Sequence, residues 1–104
     1  MYDLIIIGNG PAGCSAAIYA RRSGMKVLMT GKDGGSLARA HLIENYYGLA
    51  EPVSGAVLAR QGLQQVLKLG VDFKDEEVTG VGFGTGFEVT TTAAVYNGTT
   101  LILA

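Results

Sequence analysis

The sequence predicts an α/β fold in which a parallel sheet bears helices and takes a small inserted antiparallel β-meander. Three observations lead there. Leu4-Ile5-Ile6-Ile7 is a short, continuously apolar run bounded by Gly8, as a parallel strand buried on both faces requires. Gly10 to Ser23 then reads as a helix and Lys26 to Thr30 as a second strand. Strand, helix and strand thus fall within about thirty residues, the βαβ unit with its right-handed crossover. From Val78 the texture changes to brief β-type runs, Val78 to Phe83, Phe87 to Thr92 and Ala93 to Tyr96, set apart by Gly84-Thr85-Gly86 and then Asn97-Gly98.

The remaining elements follow from local signals. Pro11 sits in the first turn of the first helix, where its missing N–H is tolerated, and Gly24 supplies the stop. Residues 31–53 read as a loop with one short helical piece around Leu37 to Leu42. A second long helix is expected from Ser54, its cap, to Leu69, with Gly70 ending it. Val57, Leu58, Val66, Leu67 and Leu69 give that helix a buried stripe, and Gly62 weakens it. Val71 and Phe73 alternate with Asp72 and Lys74 as a half-buried strand does. Asn97-Gly98 is a turn signal, after which Thr99 to Ala104 returns to the main sheet.

Composition narrows the function. The 104 residues suffice for one small domain, and 48% hydrophobic with 16% charged residues can bury a core. A net charge of −1 gives no electrostatic basis for binding nucleic acid or an anionic membrane. The basic group Arg21, Arg22 and Lys26 falls at a helix end, where it complements the dipole. A single cysteine excludes an internal disulfide and a Cys-x-x-Cys pair within these residues. The apolar runs are too short to span a bilayer, and Met1 to Asp3 leave no room for a signal peptide, so a cytoplasmic location is expected.

The chemistry concentrates in Gly8-Asn9-Gly10-Pro11-Ala12-Gly13, a complete G-x-G-x-x-G between an apolar strand and a helix. The first glycine permits the tight turn, the second admits a pyrophosphate to the backbone, and the third allows close helix–strand packing. Gly13, Ala16, Ala17 and Ala20 continue as a small-residue stripe. This context makes the fold Rossmann-type and the ligand a dinucleotide, without separating FAD from NAD(P). An acidic residue that usually closes the second strand is replaced by Thr30, followed by Gly31-Lys32-Asp33. Three alternatives follow: Thr30 binds the ribose, Asp33 reaches back, or Lys32 favours a 2′-phosphate.

Tyr2 to Gly13, with Ala16-Ala17-Ile18-Tyr19-Ala20, resembles the opening of bacterial thioredoxin reductases and their relatives. Gly34-Gly35-Ser36-Leu37, Ile43-Glu44-Asn45-Tyr46-Tyr47-Gly48, Ser54-Gly55 and Gly70-Val71-Asp72-Phe73 leading to Glu77-Val78 extend the resemblance along the whole chain. The resemblance implies FAD at this site. Gly8, Asn9, Gly10, Pro11, Ala12 and Gly13 would hold its pyrophosphate, and Thr30 and Gly31 would lie near the adenosine. Gly35, Ser36 and Leu37 would follow the cofactor towards the flavin, Asn45 would offer its amide to the isoalloxazine, and the Val78 backbone would touch the adenine. Ser36 stands where glutamine is common in the family, and the loop before it is shortened.

The resemblance also implies that residues 1–104 are the N-terminal part of an FAD-binding domain. The NAD(P)H domain and the C-terminal part of the FAD domain would lie outside it. The whole enzyme would pass electrons from NAD(P)H through FAD to a disulfide or another acceptor. A thioredoxin-like disulfide protein would be its partner, and it would form a homodimer. No catalytic residue and no metal site is assigned within these residues. The alternative is a stand-alone NAD(P) or nucleotide-binding module without redox turnover, and a third is a structural piece that associates through its exposed sheet edge.

Other residues read more plainly. Cys14 lies near a helix N-terminus, where a thiolate is stabilised, yet without a partner it reads as a small buried residue. His41 reads as a loop histidine without function. At least one of Tyr46 and Tyr47 is expected to pack under the loop. Asp75-Glu76-Glu77 reads as a solvated face.

Overall fold

Six strands and three helices follow in the order β1 (Tyr2–Ile7), α1 (Pro11–Arg22), β2 (Val27–Thr30), α2 (Gly35–Arg39), α3 (Gly55–Lys68), β3 (Asp72–Lys74), β4 (Val78–Phe83), β5 (Phe87–Thr91) and β6 (Val95–Leu103). The computed structural model describes residues 1–32 and 35–104. One sheet holds all six strands in the order β3-β2-β1-β6-β5-β4. β3, β2, β1 and β6 run parallel, while β4 and β5 extend the sheet in antiparallel pairing from the first half of β6. This is the expected Rossmann-type α/β sheet with its meander.

β1 is central, and its apolar run is buried on both faces. Leu4 and Ile6 point to one side with Val27 and Met29, against Cys14, Ala17 and Ala20 of α1 and Val66 of α3. Ile5 and Leu28 point to the other, against Val89 of β5, with Tyr2, Ile7, Val78, Tyr96 and Leu101 closing around them. Burying each large aliphatic chain contributes about 1.5–3 kcal/mol, so the continuous run drives the strand into the middle of the sheet. The small-residue stripe of α1 faces β1 as expected, with Gly13, Ala17 and Ala20 buried. Ser54 caps α3, its hydroxyl accepting from Val57 N at 3.1 Å. Among the described residues, no helix is long and apolar enough to cross a membrane.

Three sequence expectations change. Asn97-Gly98 is no turn, because Val95 to Leu103 form one strand that serves first as the third meander strand and then as the returning strand. Gly98 is paired on both sides, with Tyr2 of β1 and Phe87 of β5. Its missing side chain makes room for Ile5, whose Cγ1 and Cδ1 would lie 2.8 and 2.9 Å from an added Cβ. The true reversal is at 92–94, where Thr91 Oγ1 accepts from the backbone N–H of Ala93 and Ala94 at 3.1 Å each. The short helical piece falls at Gly35–Arg39, ahead of Leu37 to Leu42. In α3 the buried stripe passes through Leu63 and Val66, leaving Leu67 exposed, because one helix face meets α1 and its neighbouring position turns out to solvent.

Glu76 also departs from the solvated reading. Its Oε1 accepts from Thr91 Oγ1 at 2.7 Å and from Tyr96 OH at 2.8 Å, bracketing the meander. These two hydrogen bonds, the one from Thr91 foremost, hold its carboxyl below the ordinary range. A folded pKa below the unfolded one means that the stabilisation is complete above the usual carboxylate range and disappears as pH falls through the folded value. Acidification is therefore expected to weaken amide protection in β5 and β6, and Glu76→Gln should flatten that dependence in hydrogen exchange. Gly98→Ala should cost about 1–3 kcal/mol in urea unfolding, with Ile5→Val recovering part of the loss.

Candidate functional site

β1 delivers the chain to the glycine turn, and the three motif glycines there do different work. Gly8 has φ +123°, which side-chain-bearing residues rarely adopt, and its N–H donates to Thr30 O at 2.8 Å. A methyl on Gly13 would run into the carbonyl oxygen of Gly8 and lie 2.9 Å from its carbon. Both glycines are thus demanded by the fold. Gly10 is not. Its φ of −76° suits any residue, and among the described residues a Cβ there would meet nothing within 4 Å.

Gly10 is also the N-cap of α1, and among the described residues no side chain caps that helix. Pro11 has no N–H to offer, and the first intrahelical bond runs from Cys14 N to Gly10 O at 2.9 Å. Ala12 and Gly13 N–H therefore lie in the first turn without intrahelical acceptors, at the positive end of the helix dipole. Such an end, beside cleared space, is suited to an anion of phosphate type.

The other expected residues group around this turn to different degrees. Asn9, Gly10, Pro11, Leu37 and Asn45 line one cavity of about 650 Å³ between α1, α3 and the loop after α2. A Cβ on Gly35 would come 3.9 Å from Gly10 Cα, so the start of α2 abuts the glycine turn. Gly31 N donates to Lys74 O at 3.3 Å. Ser36 is exposed on α2, and Val78 opens β4, packed on the cluster around Ile5. Thr30 is fully buried, and its hydroxyl has no hydrogen-bond partner among the described residues. Lys32 is exposed, while Asp33 and Gly34 lie outside the described residues.

The cavity extends beyond the residues singled out from sequence. Along α1 it follows Pro11, Cys14, Ile18 and Arg22, and from α3 it takes Leu58 and Gln65. The three- and four-residue spacing on α1 was available as a signal, overshadowed by the small-residue stripe on the opposite face. The contribution of α3 depends on tertiary packing.

Residues 2–104 match the family described as pyridine nucleotide-disulphide oxidoreductase. The chain belongs to this family. A thioredoxin reductase of Treponema pallidum (strain Nichols) is 38% identical over 106 residues, covering 99% of this chain and 34% of that protein. A thioredoxin reductase from Gloeobacter violaceus superposes with a TM-score of 0.93 at 32% identity, covering 98% of this chain and 33% of the other. The atypical thioredoxin reductase TRi from Desulfovibrio vulgaris Hildenborough gives 0.91 at 35% identity, over 99% of this chain and 35% of the other. The chain thus spans about a third of the length of these relatives.

Within this oxidoreductase-family chain, neither tyrosine of the loop is covered. Tyr46 is 58% and Tyr47 98% exposed, in a loop closed at its base by the Ile43–Val53 bridge and the bond from Gly55 N to Ala40 O. Tyr46 nevertheless lines the cavity. His41 is exposed after α2, and no His, Cys, Asp and Glu grouping suited to a metal occurs among the described residues. Cys14 is 7% exposed and its thiol donates to Asn9 O at 3.4 Å. Burial pushes the thiol up from its ordinary range, overriding the helix end. In the native protein at pH 8, Cys14 is expected to react with a thiol reagent at least about tenfold more slowly than after unfolding in urea.

Proposed function

We propose that residues 1–104 form the first part of an FAD-binding domain in a cytoplasmic flavoprotein of the thioredoxin reductase type. In the whole protein, bound FAD would supply the chemistry that carries electrons from NAD(P)H to a disulfide or another acceptor, with a thioredoxin-like protein as the partner where the acceptor is a disulfide. The observation that carries this reading is Gly10. The fold requires no glycine there, yet the residue keeps open the space in front of the uncapped helix end. A side chain at that point would fill the place of a diphosphate.

The residues present fit such a group. Gly8 to Gly13 would receive the diphosphate through backbone N–H, with Ala12 and Gly13 donating at the helix end. Thr30 and Gly31 would border the adenosine, Val78 the adenine, and Gly35, Ser36 and Leu37 the run towards the flavin. Asn45 would present its amide at the ring, on a cavity wall it shares with the apolar Leu37 and Ile43. The bound flavin would supply the redox chemistry, so these residues serve to bind and orient it. Cys14 takes no part, since it is buried and without a second thiol.

Purified full-length protein is expected to be yellow and to release FAD on heating. Gly10→Ala should weaken FAD binding at least about tenfold while costing no more than about 1 kcal/mol in unfolding of the apoprotein, the effect of a poorer N-cap. Colourless protein that binds NADP and not FAD would overturn the assignment in favour of a nucleotide module without flavin chemistry.

A further inference from the structure

The glycine turn and the segment leaving β2 touch at a second place, through a side chain. Gly31 has no left-handed backbone to explain it. What a Cβ at Gly31 would meet is Asn9. It would overlap the carboxamide carbon and oxygen of Asn9 and lie 2.7 Å from Asn9 Cβ. A change of Asn9 rotamer would free the carboxamide but leave the Cβ contact, so a methyl at Gly31 forces the two segments apart. Asn9 is held from the other side as well, since its carbonyl accepts from the Cys14 thiol at 3.4 Å and its chain neighbour Gly8 is bonded to Thr30 O at 2.8 Å.

We propose that Asn9 and Gly31 form a size-matched pair that fixes the gap between the glycine turn and the chain where it leaves β2 at Gly31. Asn9 is then a positioning residue: its side chain rests on the bare backbone of Gly31 and sets how close the end of β2 lies to the glycine turn. This inference rests on the preceding reading, in which a dinucleotide crosses from one segment to the other. Its new content is that the width of the crossing is set by one side chain and one missing side chain, and that the two positions must be considered together.

The test is a double-mutant cycle read by FAD affinity of the full-length apoprotein, from flavin fluorescence, alongside its urea unfolding. Gly31→Ala should raise the FAD dissociation constant about tenfold, and Asn9→Gly about two- to threefold. In the Asn9→Gly background the three nearest contacts of the methyl, all with the Asn9 side chain, are gone, so the double variant should stay within about twofold of Asn9→Gly alone. Asn9→Ala keeps the Cβ and should relieve only part of the Gly31→Ala defect. If Gly31→Ala alone fails to fold, the Asn9→Gly background must restore folding. An unaltered affinity in Gly31→Ala, or an equal loss in both backgrounds, overturns the pair. Wild-type protein without FAD affinity overturns the cofactor assignment itself, which separates the two failures.

Discussion

The architecture depends on the backbone of α1 lying against the carbonyl of Gly8 with no carbon atom between them. Only a glycine at position 13 allows it, since an added Cβ would overlap that oxygen. The approach lets Ala17 and Ala20 seat directly on the sheet beside Leu4 and Ile6. It also fixes the first turn of α1 immediately beyond the end of β1, in the crevice outside the carboxyl ends of parallel strands where such folds bind ligands. A longer helix–sheet distance would leave the same residues in the same order without aiming the helix end at that crevice.

Four glycines around this crevice answer to four different demands. Gly8 satisfies a left-handed backbone, Gly13 a helix–strand contact and Gly31 the Asn9 side chain, all internal to the chain. Gly10 answers to no such demand among the described residues. A motif that reads as one loop of small residues therefore divides into parts that build the turn and a part that leaves space in front of it. That division is more specific than the motif by itself, because it separates the glycines that the fold demands from the one whose place in the proposed function is to leave space for a ligand.

What could be read from sequence was local, and what could not was set by distant partners. The apolar run of β1, the stops at Gly24 and Gly70 and the Ser54 cap involve neighbouring residues, and each appears where expected. Asn97-Gly98 has the composition of a turn, but Gly98 answers to Tyr2, Phe87 and Ile5, all far away in sequence. Glu76 looked solvated because its partners, Thr91 and Tyr96, lie fifteen and twenty residues on. The site divides in the same way. The glycine turn was legible, whereas the cavity wall from α3 and the exposure of Tyr46 and Tyr47 follow from packing that no local pattern encodes.

The central claim is that bare amides at the start of α1 receive the diphosphate of FAD, and amide chemical shifts report on it most directly. In a 1H–15N spectrum of isotopically labelled apoprotein titrated with FAD, the largest downfield shifts should fall on Gly10, Ala12 and Gly13, and ADP alone should reproduce them. FAD that binds while these three resonances stay in place would contradict the account.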